Sequence, residues 1–149
     1  MKIVVDTNII FSALLNSNST IGDLIFNSDR HFEFYSCNYM RYEIQKHWER
    51  LIKISRLSDQ KLQVSYTQIL SKLNFINEEI IPAEIWLNSE KIAERIDIDD
   101  VDFIALARFL RATLWTGDKV LYNGLKKSGF KKLLSTTELM ELRHKKDEK

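Results

Sequence analysis

The sequence is poor in the residues that cross-link or interrupt a chain. Its 149 residues include one cysteine, Cys37, together with one proline and four glycines. A single cysteine cannot form an internal disulfide or a multi-cysteine zinc site, and it favours the reducing cytoplasm as the protein's location. Because no linker rich in proline or glycine occurs, we expect one domain over residues 1–142 and a charged, frayed C-terminal tail over 143–149.

Long apolar runs and an excess of one charge are absent as well. No stretch of 18 apolar residues occurs, so we expect no membrane-spanning helix, and the pattern typical of a signal peptide is missing. The formal net charge of +1 gives no global argument for nucleic-acid binding. Lysine and arginine do recur within residues 41–61 and 119–132, where the simplest interpretation is a solvated helix face.

What the sequence does contain is the patterning of a globular α/β protein. Apolar residues make up 44% and charged residues 29%, and a chain of this length can bury about two-thirds of its unfolded surface. Short β-branched or aromatic segments alternate with segments of helical periodicity, which predicts an α/β fold with a mostly parallel sheet. The predicted strands are 3–5, 32–36, 80–82, 113–116 and 132–135. The predicted helices are 9–15, 20–28, 38–53, 58–74, 83–95, 103–110, 121–128 and 136–144.

The first strand ends in a carboxylate. Residues 3–5 form a short buried strand, Asp6 follows it, and a helical pattern begins directly after Thr7 and Asn8. Asp6 can cap that helix, because aspartate is a favoured N-cap, or it can hold a cation where open α/β sheets place their ligands. Other acids at the same edge of the sheet would decide between the two roles.

Further acids are predicted to reach this edge. Asp118 follows the buried strand 113–116, and Asp99, Asp100 and Asp102 crowd the start of the apolar helix that precedes that strand. A helix dipole stabilises an acid in the first turn by about 0.3–1 kcal/mol. This effect accounts for one or two acids but not readily for the four that occur within residues 97–102.

Convergence of these carboxylates would need a compensating charge. Two carboxylates about 4 Å apart repel by roughly 4 kcal/mol at an effective dielectric constant of 20. If Asp6, Asp100 and Asp118 converge, with Glu43 bordering them from the helix after the second strand, they need raised pKa values or a divalent cation. Oxygen ligands favour Mg²⁺ or Mn²⁺, and the scattered positions of the three histidines argue against zinc.

Three small polar residues accompany the acids. Thr7 and Asn8 follow Asp6, and Thr116 precedes Asp118. Their side chains can hold the carboxylates or a water beside the cation, but asparagine and threonine also form local hydrogen bonds in turns, so both interpretations stay open. If Asp6 holds the cation, helix capping would fall to Thr7 or to the backbone geometry.

Taken together, these segments resemble the PIN-domain family. The resemblance rests on four motifs in order, and it extends from about residue 2 to residue 142. The motifs are Ile3–Asn8 with its Asp-Thr-Asn, Glu43 seven residues after Ser36, Asp-Asp-x-x-Phe-Ile-Ala-Leu-Ala at 99–107, and Trp-Thr-Gly-Asp-Lys-x-Leu at 115–121. The opening motif is short and weak alone, whereas the ordered set is specific.

The resemblance implies both a fold and an activity. The fold is a three-layer α/β/α sandwich with a central, mostly parallel sheet of four to five strands. The activity is that of a metal-dependent ribonuclease whose site holds three or four acids, and the family includes the toxins of VapBC toxin–antitoxin pairs. Residue by residue, Asp6, Glu43 and Asp118 match the first, second and fourth catalytic acids.

The third acid is ambiguous. In the family it usually stands about eighteen residues before the fourth, which is the spacing of Asp100 from Asp118. Asp102 is a close competitor, and Asp99 is the expected helix cap. The implied metal ligands are therefore Asp6, Asp100 and Asp118, with Asp102 as the alternative, and the expected cofactor is Mg²⁺ or Mn²⁺.

Partners follow from the same resemblance and from charge. Lys46 and Arg50 on the helix of Glu43, and Lys119 beside Asp118, are the candidates to bind RNA phosphates near an acidic site. Single-stranded RNA is the expected substrate, because a recessed site needs an unpaired strand. An antitoxin protein and a second copy of the chain are the other expected partners.

Three other functions remain open. A phosphatase that forms an aspartyl phosphate would need an aspartate where Asn8 stands, which counts against it. A PIN-like module could bind RNA or protein without catalysis, although every acid position is filled. A housekeeping RNA-processing nuclease would use the same site as a toxin, and the sequence does not separate the two.

Overall fold

The computed structural model describes residues 1–149 as alternating strands and helices. The strands are β1 (Lys2–Val5), β2 (Glu33–Cys37), β3 (Leu73–Ile76), β4 (Thr113–Trp115) and β5 (Leu133–Leu134). The helices are α1 (Thr7–Leu15), α2 (Thr20–Phe26), α3 (Asn38–Lys46), α4 (Trp48–Ser55), α5 (Asp59–Leu70), α6 (Ala83–Ala93), α7 (Val101–Leu110), α8 (Lys119–Lys127) and α9 (Thr136–Asp147). Short 3₁₀ turns, Glu78–Ile80 and Ile98–Asp100, precede α6 and α7.

The five strands form one parallel sheet in the order β3-β2-β1-β4-β5. In the central strand, Ile3 is in register with Phe34 of β2 on one side and with Thr113 of β4 on the other. The chain winds outward from β1 to β3 and then crosses back to β4, so the winding direction reverses between β1 and β4. Such a reversal opens a crevice at the carboxyl ends of the strands, where α/β folds bind ligands. Asp6 and Asp118 follow the two strands that border it.

The helices cover both faces of the sheet. Crossovers between parallel strands are right-handed, so α1–α5 lie on one face and α6–α8, which follow the reversal, lie on the other. In the first layer α1 contacts α2–α5, and in the second α7 contacts β1, β2 and β4. The stretch from Phe103 to Ala107 in α7 is buried along its whole length. The predicted three-layer α/β/α sandwich is confirmed, with five strands.

The third strand lies earlier in the chain than predicted. It is Leu73–Ile76, paired in register with β2, so the prediction of a strand at 80–82 is wrong. The predicted helix 58–74 also runs too far, because α5 ends at Leu70. The apolar pair before the proline misled the prediction, since Ile81 is buried as part of a connection rather than of a strand. Short apolar runs do not by themselves distinguish these cases.

Residues 38–53, predicted as one helix, form two. α3 ends at Lys46 and α4 begins at Trp48, with His47 between them at φ −105° and ψ 15°. The break carries α4 onto α1, where Trp48 and Leu51 are buried. No proline or glycine occurs in the segment, so the interruption follows from tertiary packing rather than from a helix-breaking residue.

The helices are short, and the longest contain twelve residues. None of them is long and apolar enough on its own to cross a membrane. Only α1 and α2 taken together, across a bend of 107°, reach the necessary length and composition.

The C-terminal segment is helical and anchored. α9 continues to Asp147, so the prediction of a frayed end is wrong for residues 143–147, while the boundary of the domain stays a prediction. Arg143 holds the helix in place, because Nη2 donates to Oδ2 of Asp23 at 2.5 Å and Nη1 donates to the hydroxyl of Ser28 at 3.2 Å. These bonds tie α9 to the end of α2.

Replacing Arg143 with leucine is expected to lower the free energy of unfolding by about 1–3 kcal/mol. The charge-assisted bonds to Asp23 would be lost, and the buried hydroxyl of Ser28 would lose its partner. Chemical denaturation measures the change. The control is Lys145→Leu, two residues further along α9 and exposed, which should alter stability by less than about 0.5 kcal/mol. Equal effects of the two variants would contradict the anchoring role.

Candidate active site

Asp6 lies where β1 passes into α1, and only 1% of its surface is exposed. Its Oδ1 accepts a hydrogen bond from the backbone N–H of Ile9 at 3.1 Å, which makes Asp6 the N-cap of α1. Its Oδ2 accepts one from the hydroxyl of Thr116 at 2.5 Å. The expectation that capping passes to Thr7 or the backbone is therefore wrong. Each carboxylate oxygen keeps a second lone pair, so capping and cation binding are compatible.

Thr7 connects the first acid to the second. Its buried hydroxyl donates a hydrogen bond to Oε1 of Glu43, which α3 carries to the same edge of the sheet. The pKa of Glu43 is raised, mainly because the carboxyl group is half-buried, and the negative charge of Asp99 adds to the shift. Thr7 thus positions Glu43 beside the crevice.

Thr116 connects the first acid to the fourth. The hydroxyl that donates to Asp6 also accepts a hydrogen bond from the backbone N–H of Asp118 at 3.1 Å. Asp118 is itself the N-cap of α8, because its Oδ1 accepts from the N–H groups of Val120 at 2.9 Å and Leu121 at 3.2 Å. Its Oδ2 makes no hydrogen bond within the protein and remains available to a ligand.

Asp100 ends the 3₁₀ turn before α7. The charges of Asp6 and Asp118 both raise the pKa of its carboxyl group, so these three acids from distant parts of the chain lie near one another. Oδ2 of Asp100 is buried and has no hydrogen-bond partner. Asp97 caps the turn by accepting the N–H of Asp99 at 3.0 Å, and the prediction of Asp99 as the cap is wrong.

Asp102 belongs to a different cluster. A carboxylate oxygen of Asp102, Sγ of Cys37 and a carboxylate oxygen of Glu78 lie within 4.8 Å of one another. The oxygens of Glu78 already accept the N–H groups of Asn38 at 3.2 Å and Tyr39 at 2.8 Å. Burial raises the pKa of the Cys37 thiol far above its ordinary value, so the sulfur keeps its proton. This cluster is therefore a poor cation site, although its dimensions would admit an ion.

Burial and mutual repulsion raise the pKa values of the central acids. Burial raises the pKa of Asp6 to about 6, the charges of Asp118 and Glu43 add to the shift, and the hydrogen bond from Thr116 opposes it. Burial, and then the charge of Asp6, raise the pKa of Asp100 to about 7. No lysine or arginine is among the main causes of either shift, so the repulsion between these acids is not offset by a neighbouring cation of the protein.

The chemistry of the donor set fits a hard divalent cation, although the oxygens of Asp6, Asp100 and Asp118 do not all lie within 4.8 Å of one another, as the ligand atoms of the Cys37 cluster do. Asp6, Asp100 and Asp118 offer carboxylate oxygens, the ligands that Mg²⁺ and Mn²⁺ prefer. The buried, unpartnered Oδ2 of Asp100 would gain a partner, and a cation would offset the repulsion that raises the pKa values. The geometry favours Asp100 over Asp102 as the third ligand, because Asp102 is directed to Glu78.

Without a divalent cation, the protein is expected to be more stable at pH 5 than at pH 8. The pKa values of Asp6 and Asp100 are about 6 and about 7 in the folded chain against 3.8 unfolded. The folded state then binds more protons between about pH 4 and pH 7, so the free energy of unfolding falls as the pH rises through that window. Thermal melts in EDTA at both pH values measure the difference, and Mg²⁺ or Mn²⁺ at pH 8 should recover stability. Identical melting temperatures with and without the ion would contradict a cation site.

The remaining predicted residues form no side-chain hydrogen bond or ion pair with the acids. Asn8 is exposed and lines a cavity beside Asp118 rather than holding a carboxylate. The three candidate RNA-binding cations, Lys46, Arg50 and Lys119, are exposed and form no ion pair within the protein. Arg50 lines the same cavity as Asn8.

Two residues that organise the site were not predicted. Asp97 caps the turn that ends in Asp100, and the Asp-x-Asp spacing of 97–99 is a local signal that would have identified it. Glu78 caps α3, the helix of Glu43, across 40 residues of sequence. No local pattern reveals a cap supplied by a distant segment.

Several solved structures share this fold. VapBC2 from Rickettsia felis, bound to a DNA fragment from its promoter, has a TM-score of 0.67 at 16% identity, covering 91% of this chain and 98% of that one. PAE2754 from Pyrobaculum aerophilum has a TM-score of 0.66 at 14% identity, covering 95% and 89%. VapBC-1 from nontypeable Haemophilus influenzae has a TM-score of 0.63 at 16% identity, covering 92% and 99%. At these identities the likeness concerns the fold.

At the level of sequence, no curated protein matches this chain. The family profile described as PIN domain matches residues 4–145, which include all of the acids described above. This chain belongs to the PIN-domain family.

Proposed function

We propose that this protein is a divalent-metal-dependent endoribonuclease that hydrolyses phosphodiester bonds in single-stranded RNA. The observation that carries the proposal is the convergence of Asp6, Glu43, Asp100 and Asp118 on the crevice between β1 and β4, where Oδ2 of Asp100 is buried without a partner. A cluster of this kind is costly to a fold unless a cation occupies it, and membership of the PIN-domain family supports a nuclease.

Asp6, Asp100 and Asp118 are the proposed ligands of Mg²⁺ or Mn²⁺. When bound, the ion supplies a more acidic water and positive charge against the charge that develops on the phosphate. The hydrogen bonds to Asp6 and Asp118 keep these two carboxylates in place before a substrate arrives. Preorganised groups of this kind cost no rearrangement during the reaction.

Glu43 is the proposed proton acceptor. Its Oε1 is held by Thr7, which leaves Oε2 directed to no other protein group. The pKa of Glu43 is raised from its ordinary value towards neutral pH. This direction suits a group that must accept a proton from an attacking water and later release it. No cysteine or serine forms a hydrogen bond with Asp6, Glu43, Asp100 or Asp118, and the thiol of Cys37 keeps its proton beside Glu78 and Asp102, so direct hydrolysis by water is favoured over a covalent nucleophile.

Exposed cations would bring RNA to this negative site. Lys46 and Arg50 follow Glu43 along the chain, and Lys119 follows Asp118, so unpaired cations border the acids on two sides. Such contacts act on phosphates and carry no sequence information. A single strand can enter the crevice between β1 and β4, whereas a duplex presents its backbone on a convex surface.

We further propose that the protein is the toxin of a type II toxin–antitoxin pair, with an antitoxin protein and a second copy of the chain as its partners. The support is the likeness to a chain in the VapBC structures from Rickettsia felis and Haemophilus influenzae, and this chain covers 98% and 99% of the two matched chains. A housekeeping PIN nuclease remains the alternative. The cytoplasmic location expected from the single cysteine stays a prediction.

The proposal is tested with purified protein and end-labelled RNA. Single-stranded RNA should be cut in Mg²⁺ or Mn²⁺ and left intact in EDTA, and the same sequence in a duplex should be cut much more slowly. Cleavage that persists in EDTA would contradict the metal, and equal cleavage of the duplex would contradict the substrate. Binding of RNA without cleavage in any divalent ion would favour a non-catalytic module.

A further inference from the structure

A cavity of about 370 Å³ opens beside the acids, between α1 and α4. Both α1 and α4, the latter together with its N-cap residue His47, contribute residues at the spacing i, i+3, i+4 and i+7, which places each set on one helix face. The first wall consists of Asn8, Phe11, Ser12 and Leu15, and the second of His47, Arg50, Leu51 and Ile54. Gly117 and Asp118 close the end at the crevice, so the cavity is continuous with the acid cluster.

The walls of the cavity combine aromatic, apolar and polar groups. The rings of Phe11 and His47 meet edge to face with their centroids 5.9 Å apart. Leu15 and Ile54 form an apolar rim and are 40% and 52% exposed. The lining also contains polar groups, namely the amide of Asn8 and the guanidinium group of Arg50, which makes no ion pair within the protein.

We propose that this cavity binds one unpaired nucleobase of the RNA, adjacent to the phosphodiester that is cut, and that it determines which base is accepted. The inference rests on the proposed function. A base has apolar faces and polar edges, which match the ring of Phe11 and the side chains of Asn8 and Ser12. Arg50 is exposed and lines the same cavity, and it would contact the phosphate of the same nucleotide. Stacking of unpaired bases on aromatic side chains is the common mode of single-strand recognition.

A peptide helix is the other candidate occupant. Helical peptides dock through an apolar face, whereas this cavity ends in Gly117 and Asp118 beside the acids and contains the guanidinium group of Arg50, which makes no ion pair. These polar groups favour a nucleotide, because a base bound in the cavity would place its phosphate near the acids.

The test measures how the removal of single bases from the RNA changes its binding to the wild type and to variants of the cavity. Short single-stranded RNAs of mixed sequence, each lacking one base, are titrated by fluorescence anisotropy in EDTA against the wild type, Phe11→Ala and Ser12→Leu. Removal of one particular base should weaken wild-type binding on the order of tenfold. The same removal should have no further effect in Phe11→Ala, which loses the stacking face, or in Ser12→Leu, which fills the cavity.

Leu87→Ala is the matched control, because Leu87 is 59% exposed on α6, in the other helix layer. It should keep the wild-type dependence on the base. Circular dichroism verifies that each variant is folded. If one variant does not fold, the titration of the wild type with the series of abasic RNAs still decides the question.

Each outcome bears on the inference. Equal binding of all the abasic RNAs by the wild type would overturn it, as would an unchanged base dependence in folded Ser12→Leu, which would leave a peptide as the occupant of the apolar walls. Cleavage of RNA without any base dependence would overturn this inference alone. A base dependence that is lost in the variants, in a protein that never cuts RNA, would support the cavity and refute the proposed function.

Discussion

Asp6→Asn is expected to abolish metal-dependent RNA cleavage and to leave the fold intact. Asparagine keeps an Oδ1 that can accept the N–H of Ile9, so the cap of α1 survives. It removes the charge and the oxygen that Thr116 holds towards the crevice. Losing a metal ligand costs several kcal/mol of transition-state stabilisation, so kcat/KM should fall at least about 10³-fold. Initial rates on a single-stranded RNA in Mn²⁺ measure the loss.

Stability separates this effect from unfolding. Because burial and neighbouring acids raise the pKa of Asp6 to about 6, its ionised form destabilises the metal-free protein at pH 8. Asp6→Asn should therefore melt in EDTA at a temperature no lower than that of the wild type. Asp29→Asn, an exposed acid paired only with Lys72, is the matched control and should retain full activity. Cleavage by Asp6→Asn within tenfold of the wild-type rate would place the active site elsewhere.

Asp100→Asn and Asp102→Asn are expected to differ strongly although they lie two residues apart. Asp100 faces Asp6 and Asp118 and has a buried oxygen without a partner, so its replacement should cost at least about 100-fold in kcat/KM. Asp102 lies beside Glu78 and Cys37, and its replacement should leave activity within a few fold.

Calorimetric titration with Mn²⁺ gives a second readout of the pair. Asp102→Asn should bind the ion like the wild type, whereas Asp100→Asn should bind it much more weakly. Burial, followed by the charge of Glu78, raises the pKa of Asp102 to about 6, so Asp102→Asn should also raise the melting temperature at pH 8. The reverse order of activities would make Asp102 the third acid, and equal activity in both variants would remove both from the site.

Most of the fold was predictable because a parallel sheet buries its strands on both faces. β1 and β4 are therefore short, uninterrupted apolar runs that a local pattern identifies. β3 differs, because it lies at the edge of the sheet and contains Asn74, which is exposed. It follows α5 without a proline or glycine between them, so the helical periodicity concealed it. Its identity depends on pairing with β2, a contact across about forty residues.

The positions of the acids in the sequence were informative for a related reason. Asp6 and Asp118 each follow a buried strand and precede a helix, and capping by aspartate acts within three residues. That local rule places both at the carboxyl edge of the sheet. The sequence does not show which partner each carboxylate oxygen has, so it could not show that Asp6 caps α1 and can still bind a cation.

By itself the sequence determined the α/β class, the order of the elements and the set of acids at one edge of the sheet. Only the tertiary structure decided how those acids are held, because Thr7 reaches Glu43 across 36 residues and Thr116 reaches Asp6 across 110. It likewise directed Asp100 to the crevice and Asp102 to Glu78. Periodicity and capping act within one or two turns, whereas the direction of a side chain in a crevice depends on every segment packed around it.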